Sequence, residues 1–185
     1  MFQYDFSNHQ NRHIRITDMP AEYFQRIQET TRKDPYYPVW HIAPKCGLMN
    51  DPNGLCEING IHHIFYQWFP AGPVHGLKHW YHLTTKDFIH YEDFGPVVFP
   101  DEDIDAHGVY SGSAFIEDDT IHYFYTGNLK YFDRDDYDYI NNGRGSNTIT
   151  FTSKDGYEFT KKELLMTTDD YPADMSNLSL IHISE

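Results

Sequence analysis

The spacing of hydrophobic and polar residues changes character once along the chain. Within residues 1–38, the run Met19-Pro20-Ala21-Glu22-Tyr23-Phe24-Gln25-Arg26-Ile27 predicts a short helix, with Asp18 as its cap and Pro20 in its first turn, ending by Asp34-Pro35. From Trp40 onward, short runs rich in Ile, Phe, Tyr, Thr and Val alternate with Asn-Gly, Asp-Gly and Asp-Asp turn signals, which is how an all-β protein is punctuated. No later stretch carries a convincing helical period.

The strand pattern repeats. His63-Ile64-Phe65-Tyr66-Gln67 aligns with His122-Tyr123-Phe124-Tyr125-Thr126, and Thr85-Lys86-Asp87-Phe88-Ile89-His90-Tyr91 aligns with Ser153-Lys154-Asp155-Gly156-Tyr157-Glu158-Phe159. Each unit has a Gly-containing opening strand, an aromatic second strand, a third strand ending in Lys-Asp, and a fourth strand. A four-stranded unit in tandem is the signature of a β-propeller blade, and two units are fewer than the roughly four to eight that close a propeller. The second unit is longer by an insert near Leu129 to Ser146. Its Asp133, Asp135, Asp136 and Asp138, followed by Asn141-Asn142-Gly143, read as a solvated loop, with calcium binding the lesser alternative.

Charge narrows the partners. With 28 Asp+Glu against 14 Lys+Arg and a formal charge of -14, the 185-residue chain has the wrong sign for nucleic acid, which calls for clustered Lys and Arg. Met1-Phe2-Gln3-Tyr4-Asp5-Phe6 lacks the basic start and apolar run of an export signal, and no stretch approaches the ~20 apolar residues of a membrane helix. The expectation is a soluble, cytoplasmic protein. Cys46 and Cys56 lack the spacing of a metal ribbon and are expected as reduced thiols, although a bridge between them is possible in principle. His62-His63 and His79 with His82 fall in strands, where neighbours face apart, so no metal site is expected from them.

The candidate chemistry lies in Gly47-Leu48-Met49-Asn50-Asp51-Pro52-Asn53-Gly54. On composition these are turn residues. The same segment offers a carboxylate held by a rigid turn beside an amide, as covalent catalysis at a sugar carbon requires. Asn50-Asp51-Pro52-Asn53-Gly54, Phe65-Tyr66-Gln67, Lys78-His79-Trp80, Tyr110-Ser111-Gly112-Ser113-Ala114 and Phe124-Tyr125-Thr126-Gly127-Asn128 follow the order and spacing of glycoside hydrolase family 32, the invertases and sucrose-6-phosphate hydrolases. The resemblance runs from about Trp40 to Asn177, and within the family it is strongest to the bacterial cytoplasmic sucrose-6-phosphate hydrolases.

That resemblance implies the first two blades of a five-bladed β-propeller over residues 39–177, with the active site in a funnel at the propeller axis. It implies retaining cleavage of sucrose 6-phosphate or sucrose, without cofactor or metal. Asp51 matches the nucleophile. Asn50 and Gln67 match positions that hydrogen-bond fructosyl hydroxyls, Tyr110-Ser111 match an aromatic-serine pair of the same pocket, and Leu48 and Met49 fall among its substrate contacts. Trp80 matches a tryptophan of the first blade, either touching sugar or packed in the blade core. Where many members place Trp before Gly, this chain has His75-Gly76, so His75, together with Lys78, is expected either to contribute to recognition of a phosphorylated sugar or to be a rim histidine with no ligand. Lys45, Lys78 and Lys130 are the cations available to offset the negative field.

Two family motifs are missing. The Arg-Asp-Pro that carries the transition-state stabiliser and the Glu-Cys that carries the acid/base do not occur, and Arg134-Asp135-Asp136 sits inside the acidic insert. After Tyr171-Pro172-Ala173-Asp174-Met175-Ser176-Asn177, residues 178–185 are expected to be a non-native tail resembling a translated sequencing adapter. The 185 residues alone are therefore expected to turn over little or no substrate, because general acid catalysis is worth ~10²–10⁴ in rate. A carbohydrate-binding fragment and a purely structural pair of blades are the alternatives. Two blades are also expected to leave one apolar face and one strand edge uncovered.

Overall fold

The computed structural model describes residues 4–138 and 142–170; the expectations for Asn141 and for residues 171–185 lie outside them. One α-helix, α1 (Ala21–Arg32), precedes eight strands: β1 (Leu48–Ile58), β2 (Ile61–Phe69), β3 (His79–Thr85), β4 (Tyr91–Val98), β5 (Val109–Glu117), β6 (Thr120–Lys130), β7 (Arg144–Ser153) and β8 (Glu163–Met166). They form two four-stranded antiparallel meanders, β1-β2-β3-β4 and β5-β6-β7-β8. These are the two repeat units, hereafter blade 1 and blade 2.

Alternation along the second strand of each blade determines what it faces. In β2, Phe65 points toward blade 2 and joins Trp80, Val98, Val109, Ile121, Tyr123, Tyr125, Ile149 and Phe151 in the core between the sheets. Tyr66 and Trp68 point the other way, into a second cluster with Cys46, Tyr81 and Leu83 that Ile16, Phe24 and Ile27 of the amino-terminal segment cover. A third cluster, Met19, Tyr23, Phe69 and Ala71, ties the helix to the end of β2 and the loop after it, and the Tyr23 hydroxyl donates to the Ala71 carbonyl at 2.5 Å. The change of pattern near residue 38 thus marks a shift in composition, and the packing runs across it. On blade 2 the face equivalent to that of Phe65 carries Phe115, His122 and Phe124 stacked nearly parallel, with Phe115 47% exposed.

Two expectations need correction or completion. Pro20, with φ -60° and ψ 135°, is the residue that caps α1, and no side chain caps the helix; Asp18 instead ends a 3-10 turn over Ile16–Asp18. The proline ring already holds the extended backbone needed at the cap, and its carbonyl accepts from Tyr23 N at 2.9 Å. The two cysteines are free thiols in different clusters, Cys46 under the amino-terminal segment and Cys56 beside the inter-blade core. Among the described residues no helix is long and apolar enough to cross a membrane, and no three His, Cys, Asp or Glu side chains converge on a metal site.

The repeated Lys-Asp turns are built alike. Thr85 Oγ1 accepts from the amides of Asp87 and Phe88, and Asp87 Oδ1 accepts from Ile89 and His90; Ser153 Oγ and Asp155 Oδ1 do the same for Asp155, Gly156, Tyr157 and Glu158. Phe88 and Gly156 both have positive φ, 58° and 81°. At Gly156 a β-carbon would lie 2.2 Å from Cε1 of His63, whereas Gly60, at φ 74°, has nothing within 4 Å of one. Gly60→Ala is therefore expected to cost about 1 kcal/mol of stability for the backbone alone, and Gly156→Ala about 1–3 kcal/mol more for overpacking, read as the difference in denaturant midpoints.

His63 Nδ1 lies 3.0 Å from His82 Nε2, between Phe65, Phe94 and Tyr157. Burial pushes both imidazoles below their ordinary pKa, and the buried His79 is lowered to about 4 for the same reason. Unfolding then takes up protons, so this stability is complete above pH ~6.5 and is lost as pH falls toward the folded-state values. The thermal midpoint is expected to drop between about pH 6.5 and 5. His82→Gln, which keeps a hydrogen-bonding group there but cannot titrate, should flatten that slope by up to ~1.4 kcal/mol per pH unit.

Candidate active site

The site is built by one irregularity used twice. β1 pairs Met49 with Trp68 and Pro52 with Tyr66, giving β1 one residue more than β2; β5 pairs Val109 with Gly127 and Gly112 with Tyr125, giving β5 the same excess over β6. A β-bulge breaks strict alternation and re-aims side chains. In blade 1 it brings the adjacent residues Asn50 and Asp51 to the same partner, Gln67. In blade 2 it falls at Tyr110-Ser111 and brings Ser111 to Asp51. Pro52 is tolerated beside the first bulge because β1 is an edge strand.

The resulting network satisfies each polar atom with a definite role. Asn50 Nδ2 donates to Gln67 Oε1 at 2.8 Å and to Asp51 Oδ1 at 3.3 Å. Gln67 Nε2 donates to Ser111 Oγ at 2.7 Å and to Asp51 Oδ2 at 3.4 Å, and Ser111 Oγ donates to Asp51 Oδ2 at 2.5 Å. The ammonium of the buried Lys78 donates to Asn50 Oδ1, which fixes the orientation of that amide. Asn53 joins the blades, donating to the Asp51 carbonyl and accepting from Gly112 N, both at 3.0 Å.

Electrostatics follow from these contacts. Burial raises the Asp51 pKa, but the hydrogen bonds from Ser111 and Asn50 and the charge of Lys78 outweigh it and hold the carboxyl below its usual range. Burial lowers Lys78 to about 8, with Asp51 opposing the shift. At neutral pH the group is thus a carboxylate beside a buried ammonium, with one oxygen fixed by a hydroxyl, an arrangement chemically capable of nucleophilic attack. Among the described residues no second carboxyl hydrogen-bonds to it.

Of the residues singled out by sequence, Asp51, Asn50, Gln67 and Ser111 meet directly. Trp80 is fully buried in the inter-blade core, where its indole N–H donates to the Tyr110 carbonyl at 2.9 Å and so holds the second bulge. Leu48 and Met49 pack against the two clusters under the amino-terminal segment, outside the Asp51 network. His75 stands at the exposed rim, its pKa lowered by partial burial and by Lys78, which leaves a neutral imidazole at pH 7. Lys45 is spent on a surface pair with Asp93 at 3.1 Å. One contribution was missed, Asn53 as the inter-blade clamp, although it lies inside the motif; Lys78, expected beside His75, is instead the partner of Asn50.

The family model described as the glycosyl hydrolases family 32 N-terminal domain matches residues 41–177. The chain belongs to glycoside hydrolase family 32. A sucrose-6-phosphate hydrolase of Vibrio alginolyticus is 53% identical over 121 residues, covering 65% of this chain and 25% of that protein. One of Staphylococcus xylosus is 42% identical over 119 residues, covering 64% and 24%. The solved sucrose-6-phosphate hydrolase of Lactobacillus gasseri superposes with a TM-score of 0.72 at 33% identity, covering 83% of this chain and 30% of that one. A β-fructofuranosidase variant of Bombyx mori, solved in complex with sucrose, gives 0.57 at 26% identity, covering 78% and 30%. The two sheets are accordingly two blades of the family 32 propeller, and the chain spans about a quarter of the length of the relatives it matches in sequence.

Removing the Ser111 hydroxyl deletes the shortest contact to the carboxylate. Ser111→Ala is expected to move the Asp51 titration upward in a carbon-detected NMR experiment, while Ser113→Ala, at an exposed position of the same strand, leaves it in place.

Proposed function

We propose that this chain carries the nucleophile and the fructosyl-binding groups of a retaining β-fructofuranosidase that acts on sucrose 6-phosphate. The observation that carries the reading is the Asp51 carboxylate, kept ionised and oriented by Ser111, Asn50 and Gln67. Asp51 attacks the anomeric carbon of the fructosyl unit, the bond to the leaving oxygen breaks, and a carboxylic acid protonates that oxygen. Water then cleaves the fructosyl ester with the same acid acting as base. In this reading Asn50, Gln67 and the rim of Tyr110 and His75 bind the sugar around the attacking oxygen. The relatives named sucrose-6-phosphate hydrolases support the phosphorylated substrate.

The reading divides the labour between this segment and a second carboxyl. Neither an Arg-Asp-Pro nor a Glu-Cys sequence occurs in these 185 residues, so they are proposed to bind sugar without turning it over. In a full-length hydrolase containing this segment, Asp51→Asn is expected to lower kcat by roughly 10³-fold or more. Acid quenching of the unsubstituted enzyme should leave a fructosyl adduct on the peptide containing Asp51, detected by mass spectrometry. Unimpaired turnover by the Asn variant would overturn the assignment.

A further inference from the structure

Lys78 is 2% exposed, and among the described residues its ammonium has a single hydrogen-bond acceptor, Oδ1 of Asn50. Burial opposes a charge there, lowering Lys78 to about 8 against the pull of Asp51. The buried cation thus contacts an amide and makes no hydrogen bond to the carboxylate whose charge favours it. An ammonium has three N–H groups and no lone pair, so a neighbour can meet it only with an acceptor.

That restriction passes along the network. Amides have a donor end and an acceptor end, and a hydroxyl can serve as either, so each of the next three groups has two possible directions. With Oδ1 of Asn50 turned to Lys78, Nδ2 faces Gln67 and donates to Oε1 at 2.8 Å. Nε2 of Gln67 is then turned to Ser111, whose Oγ accepts at 2.7 Å, and the serine proton is left for Oδ2 of Asp51, 2.5 Å away. Reversing the chain would set Asn50 Nδ2 against the ammonium. It would also put Gln67 Oε1 where Nε2 now stands, 3.4 Å from the carboxylate oxygen Oδ2. While Asp51 is ionised, both ends require the same direction. Once Asp51 is esterified its charge is gone, and the strong requirement left is that of Lys78. The main chain of the same residue braces the far end, because the Lys78 carbonyl accepts from Val109 N at 3.0 Å, two residues before Ser111.

We propose that Lys78 is a positioning residue: a donor-only cation that sets the direction of the hydrogen-bond chain running through Asn50, Gln67 and Ser111, and so keeps the Ser111 hydroxyl aimed at Asp51 throughout the reaction. The proposal rests on the fructosidase reading above and deepens it. When water attacks the anomeric carbon of the ester, the bond to Asp51 breaks and its electron pair returns to the carboxyl, while the second carboxylate takes the proton of the water. Negative charge then develops where Ser111 is already donating, and no group has to turn first.

The test is a double-mutant cycle read at the Asp51 carboxyl by carbon-detected NMR of the 185-residue chain, unsubstituted and with Lys78→Met, Ser111→Ala and both. Charge acting through space alone raises the Asp51 titration equally on Lys78→Met in either background. The hydrogen-bond chain predicts a rise about twofold smaller in the Ser111→Ala background, because the last link is already missing. Equal rises, or none on Lys78→Met, overturn it. A second measurement needs no substitution and carries the test if Lys78→Met fails to fold. The side-chain amide protons of Asn50 and Gln67 are followed while Cε of Lys78 reports the loss of its proton near pH 8. A neutral amine can accept as well as donate, so both amides are expected to shift with the midpoint of Lys78, and unmoved signals overturn the proposal. Of the groups whose charge Lys78 meets, Asp51 is already ionised and His75 already neutral in that range; Lys130, lowered to about 7, acts on His75 and has its own midpoint. Trapping of the fructosyl adduct on Asp51 reads the fructosidase assignment separately, so either can fail while the other stands.

Discussion

The packing of blade 1 against blade 2 is the constraint from which the site follows. Phe65 and Trp80 of the first sheet interlock with Tyr123, Tyr125 and Phe151 of the second, with ring centroids 5.4 to 6.5 Å apart. Because Trp80 also donates its indole N–H to the Tyr110 carbonyl, the core fixes both the distance between the sheets and their register along the strands. Only in that register do the two bulges meet. The hydrogen bond between Ser111 and Asp51 thus depends on a hydrophobic interface whose residues do not touch the carboxylate.

The two blades reuse one plan and differ where their surroundings differ. Each inner strand carries a bulge at the same place against its neighbour, but blade 1 fills it with Asn50-Asp51 and blade 2 with Tyr110-Ser111. One supplies charge and the other supplies the hydroxyl that stabilises it. The face of blade 1 turned away from blade 2 is roofed by the amino-terminal segment, whose Arg12 carbonyl also accepts from Leu77 N in the loop before β3.

Much of this was readable from residues alone. The β-rich pattern and the tandem repeat with its Lys-Asp turns have local signatures, since strand alternation and turn residues act over a few positions, whereas the grouping of Asp51, Asn50, Gln67 and Ser111 was implied by the family resemblance alone. What was not readable depends on longer contacts. The expected cap at Asp18 failed because a proline backbone can take the place of a side-chain cap. Leu48 and Met49 turn into the clusters beneath α1, a direction set by the bulge that follows them and by a helix some 20 residues upstream. The joining of residue 12 to the loop before β3 was not readable either, because it rests on a main-chain hydrogen bond from Leu77 N to the Arg12 carbonyl across 65 residues of chain.

The separation of Asp51 and Ser111 bears on when the carboxylate acquires its surroundings. Every strand pair in the two sheets is a hairpin of neighbours, closed by a short or moderate loop, whereas this hydrogen bond spans 60 residues. Local pairings cost less loop entropy and form readily, so each meander can assemble before the two dock. During synthesis blade 1 emerges first, with its carboxylate not yet clamped by a hydroxyl that is still to be translated. The carboxylate proposed as nucleophile gains its hydroxyl partner only on docking, and a half-made chain lacks that contact.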